Sequence, residues 1–233
     1  MKITVVPSGF LSVNTIFVPL GPKKGDSPQP VMVIDPGDES CADLIQQRGL
    51  EPKAVVLTHG HFDHVMGLGA LRKAFPPIPI ALHPLDGGLF GPGMSARTGR
   101  NLRDLGLGRG FAAALGALPE ANVPLGEGVN LGSVFKDADP GDEVRQAASL
   151  WRVLHTPGHT QGSLCFYTPQ ERALISGDTM FYGTWGRTDF PESSEADMEK
   201  SLRRLLGELP GDTVVYPGHE SWGFTLARNP LPV

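Results

Sequence analysis

Thr58-His59-Gly60-His61-Phe62-Asp63-His64 follows directly on the apolar run Ala54-Val55-Val56-Leu57. Four candidate metal ligands fall within six residues, and three of the seven histidines of the chain are among them. Imidazole and carboxylate are good ligands for first-row metals. An apolar run ending in this polar stretch reads as a strand entering a loop. Positions 59, 61 and 63 share one parity, so an extended backbone would aim all three side chains the same way. His64 has the opposite parity and needs the chain to bend, as on entering a helix. An isolated His-x-His is often a hydrogen-bonded structural pair; four ligands this dense point to a metal site.

Three further segments repeat the design of apolar strand, small-residue turn and ligand-type side chain. They are Val153-Leu154-His155-Thr156-Pro157-Gly158-His159, Leu174-Ile175-Ser176-Gly177-Asp178 and Val214-Val215-Tyr216-Pro217-Gly218-His219. An Asp after Gly is usually a turn residue, and a lone His is usually structural. Four such strand ends in one chain, however, can converge on one point at one edge of a sheet.

The chain has 233 residues, enough for one large domain or two small ones, and 40% of them are hydrophobic, enough for a substantial core. A net charge of −5 gives no reason to expect nucleic acid or an anionic membrane as partner. Cys41 and Cys165 form no C-x-x-C pair, which argues against a disulfide framework or a cysteine-rich zinc site and favours a reducing compartment. Met1–Pro7 lacks the longer apolar core of a signal peptide, and no apolar run approaches the roughly 20 residues of a membrane span. The expected location is the cytoplasm. Thirty glycines and 22 prolines punctuate apolar runs throughout, implying many turns rather than disorder.

Apolar patterning predicts strands over 2–6, 13–20, 31–34, 53–57, 78–83, 151–154, 163–167, 173–176 and 213–216. Helices are predicted over 40–48, 65–75 and 195–206. The last carries Met198, Leu202, Leu205 and Leu206 at helical spacing. Residues 84–128 break this rhythm. They are rich in glycine, carry Arg97, Arg100, Arg103 and Arg109 among few acids, and suggest one short helix over 111–118. This excursion is either a solvated surface loop or a cover over the site whose arginines meet an anionic substrate.

His59-x-His61-x-Asp63-His64, followed in order by His159, Asp178 and His219, resembles the metallo-β-lactamase superfamily. The resemblance runs from Asn14 and Val33-Ile34-Asp35-Pro36-Gly37 to the C-terminus. It implies one domain over residues 1–233 of mixed α/β (α+β) class: an αββα sandwich of two mixed sheets flanked by helices. It also implies two divalent metal ions, zinc foremost, with iron or manganese as alternatives. His59, His61 and His159 would hold one metal, Asp63, His64 and His219 the other, and Asp178 would bridge them. Within the superfamily, Thr156-Pro157-Gly158-His159-Thr160, Ser176-Gly177-Asp178-Thr179, Gly186-Arg187-Thr188-Asp189-Phe190 and Tyr216-Pro217-Gly218-His219-Glu220 resemble the glyoxalase II-like branch. Full-length glyoxalase II adds a C-terminal helical domain that helps to bind glutathione. Only 14 residues follow His219 here, so the likeness is to the short, single-domain bacterial type and no glutathione-binding residue is carried over.

The activity so implied is hydrolysis of a thioester, hydroxyacylglutathione-like, or of a related ester. A hydroxide shared by two metals would attack the carbonyl, with Asp63 orienting it and Asp178 bridging, so these two carboxylates are the candidate catalytic residues. The expected partner is a small, anionic thioester, bound by a monomer or homodimer. Arg187 and Asp189 form a candidate substrate loop, or else a mutual salt bridge. His83 and His155 are expected to be structural or to support a ligand. The rival reading is a persulfide dioxygenase of the same superfamily, with a single iron on His59, His159 and Asp178.

Overall fold

The computed structural model describes residues 2–104 and 106–233. Its strands form two sheets, and the reason lies in their alternation. The first sheet runs in order through β1 (Thr4–Ser8), β2 (Val13–Pro19), β3 (Gln29–Ile34), β4 (Leu50–Val56), β5 (Ile80–Leu82) and β6 (Val123–Pro124). Its first three strands pair antiparallel and the rest pair parallel. The second sheet holds β7 (Arg152–His155), β8 (Leu164–Thr168), β9 (Ala173–Gly177), β10 (Val214–Pro217) and β11 (Phe224–Thr225), with β9 and β10 parallel and the other neighbours antiparallel.

Successive side chains of a strand point to opposite faces. Ile16, Val18, Met32 and Ile34 therefore enter a core shared with Val153, Phe166 and Ile175 of the other sheet. Phe17, Val31, Val33 and Val55 face the opposite way, against α1 (Ser40–Gln47) and the helical pair α2 (Phe62–Val65) and α3 (Leu68–Ala74). Across the molecule, Cys165, Leu174 and Val215 pack against Met198, Leu202 and Leu205 of a long C-terminal helix. Strands covered on both faces read as unbroken apolar runs. The result is the αββα sandwich expected from the resemblance.

Three departures from the sequence reading have local causes. The helix predicted over 65–75 is two helices, because the Gly67 amide donates to the Pro36 carbonyl (2.9 Å) instead of extending one ladder. The 84–128 excursion holds more structure than expected: α4 (Ala96–Asp104), α5 (Arg109–Gly116) and β6 on the sheet edge. In α4 the residue facing the core is Leu102, too few apolar positions to show a period. An unexpected helix, α6 (Asp142–Ser149), covers one end of the inter-sheet core through Val144 and Ala148. The long helix α7 (Glu195–Glu208) is as expected, and its start is capped by the Ser194 hydroxyl accepting from the Asp197 amide (3.3 Å).

Candidate metal centre

The four ligand-bearing strand ends meet at one end of the sandwich. The Leu164 amide donates to the Thr58 carbonyl (2.8 Å), joining the end of β4 to the second sheet. The Asn14 amide donates to the Gly218 carbonyl (2.6 Å), and its side chain donates to the Pro217 carbonyl (3.0 Å), tying β2 to the loop after β10. Asp86 provides a third tie. It is buried and accepts from the amides of Gly60 (3.0 Å) and Gly162 (2.8 Å) and from the Thr160 hydroxyl (2.7 Å). Burial raises its pKa, against the pull of these donors.

The ligand atoms of His59, His61 and His159 lie within 4.8 Å of one another, and so do those of Asp63, His64 and His219. Asp178 stands between the two groups. Its Oδ2 is 3.5 Å from His159 Nε2 and 3.7 Å from His219 Nε2, and its Oδ1 is 3.5 Å from His64 Nε2. The seven sequence-selected residues are thus brought together. Asp63 departs from the parity it shares with His59 and His61. The chain is extended at His61 but turns helical at Phe62, so Asp63 leaves the company of His59 and His61 and joins His64 on α2. Its Oδ2 lies 3.2 Å from His219 Nε2.

The backbone approaches these ligands so closely that glycine is needed. A Cβ at Gly218 would lie 2.3 Å from Asp178 Oδ1 and 2.9 Å from His64 Cε1. Gly177 has φ near +49°, and a Cβ there would sit 2.6 Å from the Thr58 side chain.

Each imidazole is aimed by its other nitrogen. His64 Nδ1 donates to Asp35 Oδ2 (2.9 Å), His159 Nδ1 to the Arg187 carbonyl (2.8 Å) and His219 Nδ1 to the Leu11 carbonyl (3.2 Å). In all three, Nε2 then faces the centre, and it offers a lone pair wherever the ring is neutral. His61 is reversed: its Nδ1 is 2.8 Å from His159 Nε2, while its Nε2 meets Glu192 Oε1 (3.3 Å). Asp35 and Glu192 were not singled out as site residues from sequence. Asp35 had a signal, since it follows the apolar strand β3 as the ligands follow theirs. Glu192 lies in an irregular loop with none.

The donor set fits a metal. His59 Nε2 and Asp178 Oδ1 are buried with no hydrogen-bond partner, an arrangement that is costly unless a cation completes it. Charge follows the same pattern. Burial and the neighbouring histidines hold His59 well below the usual histidine range, and burial and His61 push His159 down to about 4. Burial opposes protonation of His64, but Asp63, Asp178 and Asp35 outweigh it and lift its pKa to about 10. Burial would raise the Asp63 carboxyl, yet His64 and His219 hold it below the carboxylate range. Two excess carboxylates facing one cationic ring make a site a divalent cation would neutralise.

A cavity of about 940 Å³ opens over these ligands. Arg187 lines it, but its guanidinium is bound to Asp189 through two contacts (2.7 and 2.8 Å) and stacks over Phe190 at 4.5 Å. Both members are largely exposed, so the salt-bridge reading of this pair describes the geometry. The excursion does wall the cavity, through Leu89, Thr98, Asn101, Leu102, Leu107 and Leu115. Its arginines do not line it, contrary to the cover reading; Arg97 donates to the Pro191 carbonyl (2.6 Å). His83 and His155 stack on each other (centroids 4.3 Å, planes 7° apart) away from the seven ligands.

A family model described as the metallo-beta-lactamase superfamily matches residues 10–219. The chain is 30% identical over 222 residues to a probable metallo-hydrolase, YqgX, of Bacillus subtilis, covering 94% of this chain and 90% of that one. It is 30% identical over 228 residues to a hydroxyacylglutathione hydrolase of Chromohalobacter salexigens, covering 97% of this chain and 68% of the relative. Among solved structures, TTHA1623 in a di-iron-bound form superposes with a TM-score of 0.72 at 33% identity, over 98% of each chain. Among the described residues, no helix is long and apolar enough to cross a membrane.

Proposed function

The chain belongs to the metallo-beta-lactamase superfamily, and within it we propose a dinuclear metal-dependent hydrolase of a thioester or related ester. The observation that carries this reading is the position of the Asp178 carboxylate, whose two oxygens reach the histidines of both ligand groups. His59, His61 and His159 would hold one ion and Asp63, His64 and His219 the other, with Asp178 shared. When bound, such a pair supplies Lewis acidity and a water acidic enough to lose its proton near neutral pH.

The residues of the chain do the rest. Asp35 and the carbonyls of Leu11 and Arg187 hold a proton of three imidazoles at Nδ1, so that Nε2 is the nitrogen each turns toward the centre. Asp63, Asp178 and Asp35 keep a second proton on His64, which that ring would have to give up at Nε2 to serve as a ligand. Asp63, kept ionised by its histidine neighbours, accepts a hydrogen bond and orients an attacking water toward a carbonyl in the cavity. Phe190 packs edge-on against His61 and Phe181 against His219 (5.2 and 6.2 Å), drying the flanks of the site so that charge acts at full strength. Cys41 and Cys165 are buried with thiols pushed up to about 12 and about 11, which makes neither a nucleophile.

The test is metal identity and stoichiometry on protein purified without added metal, followed by a thioester panel. About two ions per chain with thioester hydrolysis is the expected result. One tightly held iron per chain, with oxygen uptake on a persulfide, would replace the hydrolase by the dioxygenase.

A further inference from the structure

The cavity over the ligands is lined by many residues besides them, and most of those are apolar. One wall is formed by Phe10 and Leu11 at the tip between β1 and β2 and by Phe62 of α2. Phe10 stacks on Phe62 (5.8 Å), and Phe62 is braced from behind the lining by Phe111 of α5, edge-on (5.2 Å). Leu102, Leu107 and Leu115 of the 84–128 excursion line the cavity as well, as do Trp185 and Phe190.

Four of the polar side chains on these walls are engaged with protein partners. The Thr98 hydroxyl donates to the Gly88 carbonyl (2.9 Å), and the Asn101 amide donates to Glu192 Oε2 (3.3 Å). The other oxygen of Glu192 is taken by His61, and Arg187 is taken by Asp189. Among the described residues lining the cavity, Arg187 is the one Lys or Arg, whereas Glu192 and Glu220 are both carboxylates. An anionic substrate arm would find no free cation on these walls. An uncharged hydrocarbon arm would find a dry surface of three leucines and aromatic rings.

We infer that this cavity takes an uncharged apolar arm, so that the substrate is an ester or thioester with a medium-length acyl chain rather than a glutathione conjugate. The inference rests on the hydrolase reading for its reactive group but not for its binding surface, so the two can fail separately.

The binding test uses metal-free protein and the uncharged fluorophore N-phenyl-1-naphthylamine. One probe per chain should bind, be displaced by 1-octanol and not by glutathione, and bind at least fivefold more weakly to Leu107→Asp. Phe10→Ser, at the exposed rim, tests the same wall with little risk to folding and should weaken binding about twofold or more. Absence of saturable binding, or binding indifferent to both substitutions, overturns the inference. The catalytic test uses N-acetylcysteamine thioesters from acetyl to decanoyl with the metal-loaded protein. kcat/KM should climb about three- to fourfold per added methylene until the cavity is full. A flat series, or preference for the glutathione thioester of the same acyl group, overturns the inference while leaving the hydrolase intact. If no thioester is cleaved, the hydrolase reading falls and the fluorophore titration alone decides the apolar site.

Discussion

Asp35→Asn should unload one half of the metal centre and leave the other nearly intact. Asp35 is buried after β3, where Oδ1 accepts from the Thr58 amide (2.8 Å) and Oδ2 from the Thr58 hydroxyl (2.6 Å) and His64 Nδ1 (2.9 Å). Its φ is +50°, a conformation asparagine tolerates, so the substitution preserves the backbone. Asparagine keeps one acceptor oxygen, which the Thr58 amide claims. It turns the other position into an NH₂ donor facing an N–H of His64. The imidazole relieves that clash by moving its proton to Nε2, the atom 3.5 Å from Asp178 Oδ1 and 3.7 Å from Asp63 Oδ2. To bind through Nε2 the ring must then return its last proton to Nδ1, against the amide NH₂, where the wild type has a carboxylate to receive it. Losing such a supporting carboxylate weakens metal affinity by about 10- to 100-fold, roughly 1.4–2.8 kcal/mol. Chelator competition with zinc should show this loss at the Asp63–His64–His219 group and less than a threefold change at His59–His61–His159. Nitrogen NMR of His64 should report the exchanged tautomer. Wild-type affinity at both groups in a folded variant, or equal loss at both, would refute the orienting role.

Other expectations follow from the same geometry. Gly218→Ala places a methyl against Asp178 and His64 and should cost about 1–3 kcal/mol in thermal or denaturant unfolding together with metal affinity; a variant with unchanged metal content and Tm would contradict the close approach. Neither cysteine should react with a disulfide reagent in native protein at pH 8, since burial raises both thiols, and both should react after unfolding. Glu127 bonds Arg204 through both oxygens (2.7 and 3.0 Å), and that hydrogen bond holds its pKa below the ordinary 4.5. Its stabilising share is therefore present above pH 4.5 and lost as pH falls through the lowered value. Because the pair is half-exposed, Glu127→Gln should lose no more than about 0.5–1 kcal/mol at pH 7, and the difference from wild type should vanish in acid; a constant difference would contradict the ionic origin. Asp178→Ala should abolish loading of two ions per chain, and full metal content with full activity would remove the bridging role.

Much of the centre was legible before any coordinates, because its ligands follow strand ends of one repeated pattern. Apolar runs of four to six residues fix strands locally, glycines and prolines mark where those strands stop, and seven ligand-type residues stand just beyond four of the stops. Residue type and order were thus enough to gather the candidate ligands, and the family resemblance those residues carry implied the sandwich. Spatial relations across the chain were not legible, because they arise only when distant segments pack. Parity alone would have aimed Asp63 with His59 and His61; the bend at Phe62, which turns it toward His64 and His219, comes with α2. Asp35 lies 29 residues from the histidine it orients, and Glu192 lies 131 residues from His61. The arginines of the excursion left two readings open, a solvated surface loop or a cover that meets anions. Folding turned its leucines inward and left those arginines off the cavity, because burying apolar side chains is favourable whereas burying unpaired charge is not.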